Sequence, residues 1–562
     1  MAGTIQISRQ APELVAESDS SQAANQSAQS DLWIFREGRR EVSGPQTVRS
    51  LQERIDSGND ALDCLIEAGQ LEAALADLND PGTSAAASLT DALASQYLGH
   101  ATPEAVEELA RRLQAPKIIS ISPPEGFSYY ALHPSDYARA IDRLPVRPSA
   151  YAVIGIRSIG TSLSAMTAAA LKRDGRAASR ITVRPAGHPY ARSTHFTLDQ
   201  ERWIAEEISR SAHFLVVDEG PGRSGSTFLS VAEALVGAGV RRDDITVLGS
   251  REFDPASLCA ENAVARWRGV SFLSTAAAVN LRFENFPYLG GGGWRQYVFS
   301  DEGEWPESWT QMERLKFLSP DRRQFFKFEG MGPLGSEVRS RAFVLAAAGL
   351  SPAVSDTGDG FVSYANIEGR SLRRDDVSDS VLERIAQYCS FRVSEFACAA
   401  PQHSELSRML EYNVQQEFGQ ELKLNGGELA SAREVLTDGR MQPFEWIAAR
   451  QGQLLKTDGI NHGDNHFFPG PCDIAWDLAG VIVEWDLDAN ATEFLLRRFR
   501  QISGIDVSAT LDIYRLAYCV FRLGFCKMAR STVLGSPEEL RLTSAYHRYR
   551  SRAAKLLGLP AA

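Results

Sequence analysis

Cysteine is scarce in this chain, with seven residues among 562, at positions 64, 259, 389, 398, 472, 519 and 526. Their number is odd, their spacing is irregular and no CxxC pair occurs, which argues against a disulfide framework and a structural zinc site. They read as buried free thiols in a reducing compartment. A basic surplus is also lacking. The net charge is -12 and the pI about 5.4, which argues against a general nucleic-acid binder but leaves room for a local basic pocket. No apolar run approaches the roughly 20 residues that would span a bilayer. The N-terminal MAGTIQISRQAPELVAES has no apolar h-region. The expectation is a cytoplasmic protein acting on small-molecule substrates, with neither nucleic acid nor membrane as a partner; a homodimer stays open.

What is present is a chain able to bury real cores, 44% hydrophobic and 23% charged. At roughly 100–200 residues per domain, about three units are expected. Residues 1–30, rich in Ser, Gln and Ala, hold little to bury and read as a disordered tail. Residues 31–117 read as a helical region. TVRSLQERIDSGNDALDCLIEAGQLEAALADL spaces Leu and Ile at helical intervals, and Thr102-Pro103 with Glu104 makes a helix start. Residues 118–284 alternate short apolar runs (KIISI, YAVIGI, ITVRP, HFLVVDE, ITVLGS) with helical patterns, which predicts a parallel sheet with crossovers. The composition changes near residue 285. Residues 285–562 open with strand-like pieces (QYVF, FFKF, GFVSYANI) and become mostly helical. The overall class is multidomain α/β and α+β. GGGG at 290–293 reads as a domain hinge, and AYHRYRSRAAKLL near the C-terminus as a solvated helix face.

The strongest local signal is FLVVDEGPGRSGSTFLSVAEAL. A buried strand ends in Asp218 and Glu219, and the loop Gly220, Gly222, Arg223, Ser224, Gly225, Ser226, Thr227 then enters a helix. Ligands of open α/β sheets bind at the carboxyl ends of strands. Glycines let backbone N–H groups approach phosphate oxygens, and a helix N-terminus adds partial positive charge. The paired acids suit ribose hydroxyls or a hydrated Mg²⁺. This segment resembles the PRPP-binding motif of type I phosphoribosyltransferases. YAVIGIRSIGTSLSA resembles that family's first strand and pyrophosphate loop, with Arg157, Ser158, Gly160 and Thr161 at the turn. ITVRPAGHPYARSTHF sits where the family has its catalytic hood and offers Arg184, His188 and Arg192. The resemblance implies a Rossmann-like domain that binds PRPP with Mg²⁺. The 218–227 loop is one residue longer than the family pattern, and the hood lacks the Lys of some members. His213, just before a buried strand, reads as structural.

In the last unit, FFKF sets Lys327 between apolar neighbours, and Glu337 follows on a helical pattern. A strand Lys paired to a helix Glu is how kinases hold the α/β-phosphates of ATP. With GFVSYANIEGRSL as hinge, the order resembles the aminoglycoside and choline kinase superfamily, a bilobal protein-kinase-like fold. That resemblance implies a catalytic-loop Asp and a metal-binding Asp. The preferred match takes LTDGRMQPFEW as the loop, with Asp438 as base, and Asp458 in QLLKTDGINHGDNHF as a Mg²⁺ ligand. Glu445 stands nearest the family's loop Asn, displaced by two positions, as a second metal ligand. DIAWDLAG follows, with Asp473 and Asp477. A second match takes HGDNH, with Asp464 as base and His462 and His466 beside it. The function expected is bifunctional: a PRPP or ribose 5-phosphate site, and an ATP-dependent small-molecule kinase. The alternative is a kinase governed by a non-catalytic PRPP- or nucleotide-sensing domain.

Overall fold

The computed structural model describes residues 39–560 except 59, 145–147, 189, 223, 276–281, 399–405, 423, 425–428, 430, 432 and 461–469. The predicted tail, Arg223 and the HGDNH motif therefore lie outside the described residues.

Strand β1 (Arg40–Ser43) leads into helices α1 (Gly44–Asp56), α2 (Ala61–Asp77), α3 (Thr83–Tyr97) and α4 (Pro103–Arg111). Their starts are written in the sequence: Ser43, Asp60 and Thr102 cap α1, α2 and α4 through side-chain oxygens, and Pro occupies the first turn of α1 and α4. β2 (Ile118–Ile121) pairs antiparallel with β1, so KIISI belongs to this helical region and not to the parallel sheet predicted for it.

After α5 (Pro134–Ala140) come β3 (Ala150–Ile156), α6 (Ile159–Arg173), β4 (Ala177–Val183), the hairpin β5 (Ala186–His188) and β6 (Ala191–Ser193), and α7 (Leu198–Ser209). Then follow β7 (His213–Val217), α8 (Ser226–Gly237), β8 (Ile245–Gly249) and β9 (Ser271–Ser274). Strands β4-β3-β7-β8-β9 form a five-stranded sheet, parallel throughout. Alternate side chains leave on opposite faces. Tyr151, Val153, Leu215 and Val217 enter the core shared with α2 and α6, whereas Ala152, Ile154, Phe214 and Val216 face a second core with α8. Burial on both faces explains the unbroken apolar runs. His213 bonds Thr246 Oγ1 at 2.8 Å, a structural role.

The last unit opens with β10 (Lys316–Leu318), β11 (Gln324–Phe328), α9 (Gly332–Ala347), β12 (Val354–Asp356) and β13 (Phe361–Ala365), in an antiparallel sheet ordered β10-β11-β13-β12. β14 (Gly369–Ser371) pairs with the hairpin β15 (Trp446–Ala449) and β16 (Leu454–Lys456). Helices α10 (Asp379–Glu395), α11 (Leu406–Phe418), α12 (Ala475–Glu484), α13 (Ala489–Ser503), α14 (Leu511–Ser531) and α15 (Pro537–Leu556) build a larger helical lobe with its own core. Of QYVF, predicted as a strand, Gln296 to Val298 lie in the short helix Arg295–Val298 and Phe299 caps it in an extended conformation. The Arg-rich face of α15 is not simply solvated, because Arg548 pairs with buried Glu307 and Arg550 with Glu417.

Among the described residues the units pack directly on one another around residue 285. Phe283 stacks on Phe317 with ring centroids 4.3 Å apart, and Phe328, Met331 and Phe361 of the small lobe join the core of the N-terminal helices and the parallel sheet. GGGG at 290–293 is a turn anchored by Gly292 N–H donating to Glu313 (2.9 Å), not a free hinge.

Helix α2 is the strut between the units. Its Asp63 accepts from Gly332 N at 2.6 Å and pairs with Arg339 at 3.1 Å, both next to or on α9. Its Glu72 forms a buried bidentate pair with Arg180 of β4, at 2.8 and 2.9 Å. Between them Glu67 is buried, with one carboxylate oxygen lacking a hydrogen-bond partner. Burial pushes its carboxyl up from 4.5 to about 7; Arg54 opposes this, and Asp63 and Glu337 reinforce it.

A carboxyl whose folded pKa is raised holds its proton longer in the native state than in the unfolded chain. Its favourable contribution is complete below pH ~4.5 and is lost as pH rises through ~7. Stability should therefore fall between pH 5 and 8. Glu67→Gln should recover about 3 kcal/mol at pH 8, from 1.36 kcal/mol per unit, and almost nothing at pH 5. Thermal midpoints of both proteins at the two pH values check this; equal gains at both would refute it.

Candidate functional site

Two places gather the residues singled out from the sequence. The first is the carboxyl end of the parallel sheet, between β3 and β7. The strand order reverses there, and open α/β sheets form their binding crevice at that point. The loop after β3 carries Arg157 and Ser158, and Gly160 and Thr161 lie in the first turn of α6. The loop after β7 carries Asp218 to Gly225, with Ser226 and Thr227 opening α8. The two loops touch. A Cβ on Gly160 would lie 2.6 Å from Val217 O and 3.2 Å from Asp218 Oδ1, so only glycine allows this approach. Ser158 holds φ +107, a strained conformation for a non-glycine residue. Asp218 and Glu219 are part-exposed at the strand end, with Tyr137 Oη donating to Asp218 O at 2.7 Å. Ser224 Oγ accepts from Ser226 N at 3.2 Å, and Gly225 adopts φ +66 at the start of α8.

The predicted hood is divided. His188 is exposed at the tip of the β5–β6 hairpin, where its Nδ1 accepts from Tyr190 N. Arg184 is turned the other way. It donates to both carboxylate oxygens of Asp77, at 3.1 and 2.6 Å, and Arg157 reaches the same carboxylate at 2.9 Å. Burial works against the charge of Asp77, but the two guanidiniums overcome it and hold the carboxyl below its usual range. Asp77, the last residue of α2, had no signal in the sequence, since its partners lie 80 and 107 residues away.

The second place is a cavity of about 680 Å³ between the small sheet and the helical lobe, lined by residues of both. Lys327 on β11 lies directly opposite Lys316 on β10. Both ammonium groups reach Asp458 just past β16, Lys327 in a short ion pair and Lys316 at 3.5 Å. Asp458 takes φ +56, which turns its side chain off the strand end and into the cavity.

The helix partner predicted for Lys327 is corrected. Lys327 pairs with Glu329 at 3.2 Å, whereas Glu337 lines a separate cleft with Arg40, Arg54 and Glu67 on the opposite flank of α9. Glu329 was findable, because residues i and i+2 of a strand share a face.

Asp438 also differs from expectation. It is fully buried and does not line the cavity. Tyr388 Oη donates to it at 2.6 Å, and Lys456 Nζ lies 3.1 Å away. Asp477 of α12 accepts from the backbone N–H groups of Asp438 and Gly439, both at 2.8 Å, and so pins the loop's fold. The loop residues that do line the cavity are Arg440, Phe444 and Glu445. Glu445 pairs with Lys456 at 2.9 Å and with Arg440 at 3.3 Å, and burial pushes its carboxyl up to about 7. Asp464, the second candidate base, lies outside the described residues.

No family model matches the chain, and no curated protein matches it. Solved structures do. Choline kinase LicA from Streptococcus pneumoniae is 14% identical, over 43% of this chain and 89% of that one, with TM-score 0.30. Macrolide 2'-phosphotransferase MphH from Brachybacterium faecium is 14% identical, over 44% and 89%, with TM-score 0.27. The GDP complex of an aminoglycoside 2'-phosphotransferase-IIIa mutant is 12% identical, over 44% and 89%, with TM-score 0.28. At such scores the likeness carries no weight for activity, and the site's chemistry stands on its own geometry.

Among the described residues no three metal-ligating side chains converge. Asp458 faces the cavity. Glu445 lies beside it, with an oxygen that has no hydrogen-bond partner. The helices offer no membrane span: among the described residues none is long and apolar enough to cross a bilayer.

Proposed function

We propose that the 680 Å³ cavity is the active site of an ATP-dependent phosphotransferase acting on a small hydroxyl compound. The observation that carries this reading is the pair Lys327–Asp458, brought together across the cavity from 131 residues apart. One is a cation on a rigid strand and the other a carboxylate at a strand end. Phosphoryl transfer asks for little more than such positioned charge. Lys327 and Lys316 would hold the nucleotide phosphates. Asp458, with Glu445, would hold Mg²⁺, which neutralises charge on the transferring group. The acceptor oxygen attacks the γ-phosphorus as the β,γ-bridging P–O bond breaks. ADP leaves, and the acceptor's hydroxyl proton passes to a base. Mg²⁺-dependent ADP formation that requires an added acceptor tests this reading.

For the parallel-sheet unit, the tie of Arg184, one of the three hood residues, to Asp77 favours binding over transfer. With Arg184 and Arg157 both on Asp77, the crevice of Asp218, Glu219 and the 220–227 loop fits a PRPP- or ribose 5-phosphate-sensing module better than a phosphoribosyl transferase. Asp77 then competes with the ligand's phosphate for the same guanidiniums. Asp218→Asn should weaken Mg·PRPP binding and spare ATP turnover in the other unit. Asp77→Asn should tighten Mg·PRPP binding by about 10-fold, the effect of roughly 1.4 kcal/mol. Titration of both variants settles the point; unchanged affinity in Asp77→Asn would show that Asp77 does not compete.

A further inference from the structure

The cavity is more cationic than a nucleotide site requires. Its wall carries nine Lys and Arg residues against five Asp and Glu, in a chain whose net charge is -12. The acids on the wall are already engaged. Glu313 accepts from Gly292 N, Trp294 Nε1 and Ser308 Oγ. Glu307 is shared by Arg522 and Arg548. Glu445 is shared by Lys456 and Arg440.

The cations are not equally satisfied. Arg522 is 2% exposed, yet its Nη1 has no hydrogen-bond partner, and the same holds for Arg440 Nε. Arg440 Nε does lie 3.3 Å from Glu445 Oε1, but that contact is an ion pair without hydrogen-bond alignment, and Glu445 Oε1 is itself unpartnered. A buried donor left unpaired costs about 1–3 kcal/mol, so two of them on one cavity wall point to a ligand that completes them. Arg440 lies in the electrostatic field of Asp458 and of Arg522 together, and Trp309 and Phe525 line the same cavity.

We infer that the acceptor seated in this cavity is an anion, a hydroxyl compound bearing a phosphate or carboxylate group, which docks on Arg440 and Arg522 beside the nucleotide. Guanidinium forks suit both oxyanions, which they bind bidentately. The inference rests on the phosphotransferase reading and names its substrate class; a cationic acceptor such as an amino alcohol would meet repulsion from the same wall.

The test uses the intact chain saturated with Mg·AMPPNP, which fills the nucleotide end. Thermal midpoints are then followed during titration with inorganic phosphate, acetate or choline. The expected result is a rise with inorganic phosphate, with acetate or with both, and none with choline. A rise with phosphate alone assigns a phosphate-bearing acceptor, with acetate alone a carboxylate-bearing one, and with both an oxyanion of either kind. In Arg440→Met the anion's apparent Kd should rise at least 10-fold, and Arg440→Lys should restore part of the loss. An anion effect that is absent, or equal in wild type and Arg440→Met, overturns the inference, as does a rise with choline alone. A missing response to Mg·AMPPNP itself would instead sink the phosphotransferase reading, so the two failures are distinguishable.

Discussion

Replacing Asp458 with Asn is expected to cut ATP turnover by at least about 10²–10³-fold, the effect of removing one preorganised charge from a transition-state site. The substitution is nearly isosteric and keeps the backbone at φ +56. What it removes is the negative charge that Lys327 and Lys316 both face. Two consequences separate this from a folding defect. The thermal midpoint should fall only modestly, because Lys327 keeps Glu329 as a counter-charge at 3.2 Å. The dependence on Mg²⁺ should also weaken, since a neutral amide is a poor partner for a hard cation. Turnover measured against Mg²⁺ concentration checks both; full activity with an unchanged Mg²⁺ dependence would remove Asp458 from the mechanism.

The second large effect is on stability. Asp477→Ala should cost about 3–5 kcal/mol, the range for breaking a buried, hydrogen-bonded charge pair. Asp477 is fully buried. It accepts two backbone N–H groups of the 438–439 turn and lies 3.7 Å from the buried guanidinium of Arg392. Removing it leaves Arg392 without that counter-charge and two donors without acceptors. For a lobe of this size the loss should lower the unfolding midpoint by about 10 °C, read by calorimetry. Activity should fall too, because Arg440 and Glu445 ride on the same loop. A shift of a degree or less would mean that the turn is held by its other contacts.

Much of this was legible in the sequence, for identifiable reasons. Strands β3, β7 and β8 announce themselves because burial on both faces demands unbroken apolar runs, whereas the part-exposed edge strand β9 did not. That an acid follows the strand at LLK was readable, but its turn into the cavity depends on φ +56 at Asp458, which no residue pattern announces. The failures are equally physical. QYVF has strand-forming side chains, yet it follows a glycine turn, and Gln296 to Val298 fold as part of a short helix. Glu337 was the right residue type on the right helix, but a sequence does not say which flank of a helix meets its partner, and this one faces α1 and α2. Asp438 matched a motif whose chemistry needs exposure; Tyr388, 50 residues away, covers it. Asp77 and Arg180 depend on partners about 80 to 110 residues distant, and no local pattern encodes that. Lys316 could have been found only with the register that sets it opposite Lys327.

The account turns on whether the cavity between the small sheet and the helical lobe takes a nucleotide through Lys327. Calorimetric titration of Mg·AMPPNP into the intact protein and into Lys327→Met measures this directly. One site per chain is expected, with its affinity reduced at least 10-fold by the substitution. Absence of binding to the wild-type chain, or equal affinity in the two proteins, would contradict it.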